Sequence, residues 1–425
     1  MRIAALLLVL APAAAAEDLR PASGVLARAG PAVLERVGGQ RVLRVRGTPR
    51  EMGLQHGRLV AREVAATVRA YLDEWAIAKA GETRASLRRI WEAHRPHVPA
   101  RYHEELAGLA EGSGVALGEL ELFHAIPTRF HCSGAAASGA ATADGRLYHT
   151  RSLDYALDIG ASSVAQEHAL LLVHQPPDAP ATATLAWAGF VGCVSGMNDA
   201  GISVGEMGSR SDDETWDGLP MVFLVREALR ERTLDGALRA FRGAPRTCGF
   251  NFIVADGRAR AAAAVEMNRS RVAVFRAGDA AEDVAPHRAL PDVVRRTNHF
   301  VDPALAATQR ADYDPRRGAP GSWDGYEKIT AFLERERGRL DPAAMVRLLR
   351  TYPPGHPCLH QAVFAPSEDA LWVSHAADPR RVKRAGAQNG DFYRYDLAAL
   401  VRGAPAGRGL RIERGPRWTN GTLGG

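Results

Sequence analysis

The sequence predicts an α+β fold in which a helical N-terminal segment precedes antiparallel sheets covered by helices. Three observations predict it. Apolar residues recur at helical spacing from about position 47 to 130. Alternating apolar runs come next, with tight turns at Asp144-Gly145 and Asp256-Gly257 that mark β-hairpins. This order of helices and then strands, with period-2 runs and short turns, favours antiparallel sheets covered by helices.

Residues 1–16, MRIAALLLVLAPAAAA, carry one Arg near the start, a short apolar run and an Ala-x-Ala end. That is the pattern of a secretory signal peptide, cut after Ala16 and too short to span a bilayer as a helix. No cysteine stands just after it to take a lipid anchor, and no later stretch reaches the roughly 20 apolar residues of a spanning helix. An exported protein, periplasmic or secreted and without a stable membrane anchor, is expected. The remaining length suits one large domain or two ordinary ones, and 46% hydrophobic with 24% charged residues is a core-forming composition. The net charge of +6 is carried by arginine, Lys79, Lys328 and Lys383 being the only lysines. The arginines are scattered and no nucleic-acid motif accompanies them, which argues against a nucleic-acid partner. Cys132, Cys193, Cys248 and Cys358 are too few and too far apart for a disulfide framework. At most one pair bridges, and buried free thiols are expected for those other than Cys132.

Gly47-Thr48-Pro49-Arg50-Glu51 opens a helix: Thr48 caps it, Pro49 fits the first turn, and Glu51 completes a capping box. Val64, Val68 and Leu72 continue the apolar face, and His56 is read as a packing or capping residue. The pattern stays helical from 84 to 130, with an amphipathic run from Tyr102 to Gly112, and leads straight into His131. Residues 17–131 are therefore expected as a mostly helical segment packed on the strand-rich remainder of the chain.

His131-Cys132-Ser133-Gly134 opens a strand, Asp144-Gly145 turns it, and the return strand ends on Arg151 and Asp154. Pairing around the turn brings a thiol, a guanidinium and a carboxylate to one end of the hairpin. Further strand-like runs occupy 163–173, 183–190 and 191–206, the last holding a turn at Asn198. Helices are expected over 219–243, and strands from Asn251 to Asp256, Ala261 to Met267 and Val272 to Phe275. Thr297-Asn298-His299-Phe300 comes next, with Asn298 either a site amide or a loop cap. From about 402 the chain is rich in Gly, Pro and Arg without periodicity and is expected as a mobile tail.

Cys-Ser-Gly opening a strand, Asp-Gly at its turn and Arg-x-x-Asp closing the return strand together resemble the amino-terminal-nucleophile hydrolases of the penicillin acyltransferase and bile-salt hydrolase type. The segment from Gly47-Thr48-Pro49 to Gln55-His56-Gly57 resembles the start of the acyltransferase family, and Thr297-Asn298-His299 resembles its Thr-Asn-His. Gly196-Met197-Asn198 through Gly201 resembles a stretch of bile-salt hydrolases. These matches keep their order from residue 47 to about 375, most of the chain after residue 16. The resemblance implies a four-layer αββα sandwich, self-cleavage between His131 and Cys132, and a 17–131 chain held with a 132–401 chain as an α/β heterodimer of one cleaved product. It also implies Cys132 as nucleophile, Arg151 and Asp154 beside it, and Asn298 and Asn198 at the oxyanion, Asn198 being equally readable as a turn residue. No cofactor or metal is implied. The sequence departs from these relatives at Gly325 and Leu359, which stand where relatives carry arginine.

A thiol with an ordinary pKa near 8.5 needs help to ionise. An α-amino group on the same residue, ordinarily near 7.7 to 8.0, can take its proton. Arg151 would favour the thiolate and Asp154 would hold the ammonium, while a neutral amide such as Asn298 is a fixed oxyanion donor. The expected reaction is hydrolysis of a linear N-acyl amide or a peptide-like small molecule, the acyl group and the amine being left open. Acyl transfer is the alternative, and an exported binding protein with Cys132 as a small buried residue is the non-catalytic one. A papain-like pairing of Cys132 with His299 or His360 conflicts with the Asp-Gly hairpin, and a zinc site from His124, His131, Cys132 and His149 lacks a ligand spacing.

Overall fold

The computed structural model describes residues 24–126, 131–157, 159, 164–311, 320–351, 357–380, 385–403, 418–419 and 422–423. The expected signal peptide and most of the expected tail lie outside the described residues. The described part of the N-terminal segment is helical from Pro49 onward, but it opens on strands that the sequence reading did not expect. It opens on three strands, β1 (Gly24–Ala29), β2 (Ala32–Val37) and β3 (Gln40–Arg46), joined as antiparallel neighbours. The missed signal is the two-residue Gly38-Gly39 loop between alternating runs, in which Gly38 takes the positive φ that such a turn requires.

Helices then run as expected: α1 (Pro49–Leu59), α2 (Ala61–Arg69), α3 (Arg84–His94), α4 (Ala100–Ser113) and α5 (Leu117–His124). Thr48 and Glu51 form the capping box at the start of α1. Helices α1 and α4 meet backbone to backbone. A Cβ on Gly108 would sit 2.0 Å from the Arg50 carbonyl oxygen, and one on Gly53 2.0 Å from that of Glu105. Only hydrogen at these positions allows the approach.

The hairpin is β4 (His131–Gly139) and β5 (Gly145–Asp154). After it come α6 (Val164–Glu167), β6 (Ala169–Gln175), β7 (Thr182–Trp187), β8 (Ser195–Asn198) and β9 (Ile202–Gly208). Next are α7 (Met221–Ala228), α8 (Leu234–Gly243), β10 (Phe250–Asp256), β11 (Ala261–Met267), β12 (Val272–Arg276) and β13 (Val293–Arg296). The chain closes with α9 (Pro303–Ala306), α10 (Pro320–Arg335), α11 (Pro342–Thr351), β14 (Cys358–Ala365), β15 (Ala370–His375), β16 (Tyr393–Asp396) and α12 (Leu397–Arg402). Beyond them a short pair, Trp418–Thr419 with Thr422–Leu423, is described in the C-terminal region.

Two sheets result. The larger runs β1-β2-β3-β6-β7-β8-β9-β10-β11-β12 and the smaller β13-β4-β5-β14-β15-β16. Pairing is antiparallel except at β3–β6. Strands β4 and β5 pack on β9 and β10, so the sheets lie face to face. Val42, Leu171, Val173, Leu185, Phe364 and Val373 fill much of the space between them. Helices α10 and α11 cover the outer face of the smaller sheet, and α1, α7 and α8 that of the larger. The fold is an α+β, four-layer αββα sandwich.

The N-terminal segment is part of this architecture. Its β3 pairs with β6, and Glu105 on α4 bonds Arg226 on α7 at 2.7 Å and His174 on β6 at 3.1 Å. His56 and His124 each accept a backbone N–H, from Gly189 and Val191, at 3.0 Å. Burial above all pushes their pKa values down, to about 3 for His56 and about 4 for His124, so both are neutral acceptors. Among the described residues no helix is long and apolar enough to cross a membrane.

Candidate active site

Cross-strand register carries the site. Cys132 stands opposite Leu153, Gly134 opposite Arg151, and His131 opposite Asp154. Directly opposed residues project to one face, so Cys132 and Arg151 both face the larger sheet. Arg151 needs room there, and Gly205 on β9 provides it: a Cβ on Gly205 would lie 2.7 Å from the Arg151 Cγ.

The Arg151 side chain is fully buried. Its Nη2 donates to the Cys132 sulfur at 3.1 Å, to the Glu206 carbonyl at 2.8 Å and to Glu206 Oε2 at 3.2 Å. Its Nε and Nη1, with Glu206 Oε1, have no partner among the described residues. Burial raises the Cys132 thiol well above its ordinary pKa. Arg151 opposes that rise, Glu206 and Asp154 add to it, and a hydrogen bond with the Gly208 backbone lowers it. Burial likewise pushes the Glu206 carboxyl up to about 7 despite Arg151. One guanidinium is thus shared between two groups that both ionise reluctantly.

Asn298 closes the site from the turn after β13. Its Oδ1 accepts the Cys132 N–H at 2.9 Å, and its Nδ2 donates to the Gly208 carbonyl at 2.6 Å. Its backbone N–H donates to Ser322 Oγ at 2.9 Å. The expected oxyanion role uses the Nδ2 end; the geometry here ties the Oδ1 end to the nitrogen of Cys132. Asp154 is buried and accepts from Ser152 Oγ at 2.8 Å.

Asn198 is not brought to this group. Its Nδ2 donates to the Leu229 and Glu231 carbonyls and its Oδ1 accepts the Ala200 and Ile202 N–H groups. It stands at the turn before Ile202, while Cys132 meets the other end of β9, about 20 Å away at the rise of an extended strand. The structure corrects its expected place at the oxyanion to that of a turn anchor. Glu206 is the residue that reading the sequence missed. The available signal was one acid in the otherwise uncharged run Ile202-Ser203-Val204-Gly205-Glu206-Met207-Gly208, where burial demands a charged partner. Of the two departures, Gly325 is buried on α10 and Leu359 lies in the main apolar core.

All four cysteines are free, and Cys193 and Cys358 are buried as expected. Cys248 is half-buried and lines a cavity of about 160 Å³ that reaches Gly208. Ile126, Met221, Val222, Phe250 and Trp216 make much of this cavity apolar, with Glu82, Arg210 and Glu214 also on its lining. Among the described residues no group of His, Cys, Asp and Glu could hold a metal ion. The arrangement sets a guanidinium against a buried thiol, holds the nitrogen of the same residue, and leaves a largely apolar recess reaching Gly208.

Residues 157–375 match the family model described as acyl-coenzyme A:6-aminopenicillanic acid acyl-transferase. The matched span begins just after the β4–β5 hairpin and includes Glu206 and Asn298. Protein dcd1B of Dictyostelium discoideum is 26% identical over 298 residues, covering 62% of this chain and 59% of that protein. Protein dcd1A of the same organism is 23% identical, covering 66% of this chain and 61% of that one. The chain spans about three fifths of the length of these two curated relatives. Among solved structures, the Caenorhabditis elegans ortholog of N-acylethanolamine-hydrolyzing acid amidase aligns at 18% identity and a TM-score of 0.41, covering 56% of this chain and 93% of that one.

Proposed function

The chain belongs to the acyl-coenzyme A:6-aminopenicillanic acid acyl-transferase family, and from that premise we propose that it is an amidohydrolase whose nucleophile is Cys132, exposed by self-cleavage after His131. The observation that carries this reading is the pairing at Cys132: its sulfur lies 3.1 Å from Arg151 Nη2 and its nitrogen 2.9 Å from Asn298 Oδ1. Thiol, cation and the nitrogen that would become a base meet on one residue.

In the proposed maturation the Cys132 sulfur attacks the His131 carbonyl, the peptide C–N bond breaks, and water hydrolyses the thioester to leave a His131 carboxylate and a free Cys132 amine. In turnover that amine takes the thiol proton, with Asn298 Oδ1 orienting it and Asp154 holding its ammonium form. The thiolate attacks the substrate carbonyl, an amide N–H of Asn298 stabilises the oxyanion, and the departing amine takes the proton from the Cys132 ammonium. Water then releases the acyl group. The cavity that reaches Gly208 receives an apolar group next to the scissile bond. At about 160 Å³ it has room for an apolar group about the size of benzene, which a cavity of about 150 Å³ holds.

The test is the intact mass of the full-length protein under denaturing, reducing conditions, beside Cys132→Ala, and then hydrolysis of N-acyl amides graded in acyl size. Two fragments meeting at His131 and Cys132, absent from the variant, are expected, with turnover of amides that carry an apolar acyl group. One uncut species in both, with no thiol-dependent hydrolysis, overturns the reading in favour of a binding protein. The family's description favours acyl transfer as a second reading, decided by whether an added amine captures the acyl group faster than water. Export directed by residues 1–16 would put water in excess and favour hydrolysis; the N-terminal sequence of the exported protein checks it.

A further inference from the structure

Asn298 is held by a chain of side chains that the proposed reaction does not itself use. We propose that Ser322, His299 and His287 form a directional hydrogen-bond relay that positions Asn298, with His299 carrying its proton on Nε2 and His287 on Nδ1.

The direction comes from counting protons. His287 Nδ1 lies 3.0 Å from the Val284 carbonyl, which only accepts, so this nitrogen carries a hydrogen. The relay takes both rings as neutral; a neutral imidazole has one N–H, so His287 Nε2 is then a lone pair. His299 Nε2 lies 3.1 Å from it and must donate. The remaining nitrogen, His299 Nδ1, is then an acceptor, and two hydroxyls stand within reach: Ser322 Oγ at 2.7 Å and Thr297 Oγ1 at 3.2 Å. Thr297 places its single hydroxyl hydrogen on the Ser322 carbonyl at 2.9 Å. Ser322 Oγ also lies 3.1 Å from Thr297 Oγ1, but its approach to His299 Nδ1 is the shorter at 2.7 Å, so Ser322 is the donor to His299, which leaves its oxygen lone pairs facing the Asn298 N–H at 2.9 Å.

Each link determines the next, and the last fixes the residue whose Oδ1 holds the Cys132 nitrogen. The surroundings keep the chain in place. His299 is buried, and Trp323 and Tyr326, whose rings stack on one another, pack against both imidazoles. Ser322, His299 and His287 are positioning residues in this assignment, because none of them touches the reacting atoms.

The kinetic part of the test rests on the amidohydrolase reading; the spectroscopic part does not. Two-dimensional nitrogen–proton spectra of the full chain with isotope-labelled histidine are expected to show the Nδ1–H tautomer for His287 and Nε2–H for His299. His287→Phe keeps an aromatic ring and removes the acceptor, so the His299 signal should leave the pure Nε2–H position, whereas His287→Gln supplies an amide oxygen and should restore it. Ser322→Ala and His287→Phe should lower kcat about tenfold, the size of one lost hydrogen bond in the transition state, at unchanged KM. Ser322→Thr and His287→Gln should recover most of it. The Nε2–H tautomer at His287, or wild-type kcat in Ser322→Ala, overturns the relay. If the wild-type protein neither cleaves itself nor hydrolyses amides, the amidohydrolase reading fails, and the His299 tautomer with and without the His287 acceptor still decides the relay.

Discussion

Arg151 has one positive charge and two acidic neighbours, and how it divides that charge sets the state of the sulfur. Removing the Glu206 charge takes away an influence that raises the thiol pKa, and removing Arg151 takes away the main one that lowers it. The alkylation rate of Cys132 by iodoacetamide, tracked on its own peptide by mass spectrometry, should therefore rise at lower pH in Glu206→Gln than in the wild type. In Arg151→Met it should rise only at higher pH. Coincident profiles would remove both residues from control of the thiol. The meeting of Cys132 with Arg151 was legible in the sequence because a hairpin register is set by its turn, and Asp144-Gly145 marks that turn. Glu206 was not, because its role depends on a second sheet meeting the first, which no local pattern encodes. The two asparagines show the same limit. Each sits in a stretch resembling a family motif, yet Asn198 is saturated by backbone partners, and only Asn298 reaches Cys132.

The elements were read more reliably when their signals were local. The capping box at Thr48, the glycine-ended helix α4 and the Asp-Gly hairpins all stand where the sequence puts them. Strands β1 to β3 were overlooked because only the Gly-Gly loop signals them. Why α1 carries Gly53 and Gly57 is visible only once α4 lies against it. Gly108→Ala should cost about 1–3 kcal/mol, as overpacking does, because the new methyl would meet the Arg50 backbone. Gly118→Ala on α5 is the control: nothing lies within 4 Å of the new atom. Thermal unfolding of uncut Cys132→Ala protein carrying either change compares them, and equal midpoints would show that the helices can part without loss.

For the molecule as a whole, the buried histidines set the response to acid. His56 and His149 are held down to about 3, and His124 and His375 to about 4, each chiefly by burial. In the unfolded chain a histidine takes up its proton near pH 6.5. As pH falls through that value the unfolded state binds protons that the native state refuses, and stability drops. Glu206 acts oppositely: at about 7 it binds a proton in the native state that the unfolded carboxyl takes only near pH 4.5. Among the described residues, burial lowers the pKa of eight histidines, these four with His94, His168, His174 and His360, and raises that of four carboxyls, Glu206 with Asp199, Glu266 and Asp369, so the balance is acid-destabilising. The denaturant midpoint of the uncut Cys132→Ala protein should fall between pH 7 and 5, and a rise would contradict this account.

The parallel pairing of β3 with β6 places strands from before residue 131 and from after it within one sheet. If the chain is cut there, unfolding the mature protein yields two separate polypeptides, and recovery becomes a second-order encounter rather than a first-order search. The uncut variant would regain its structure at any dilution, whereas the processed enzyme would regain it only when concentrated. Its lifetime would then depend on how slowly it opens and not on an equilibrium it can return to.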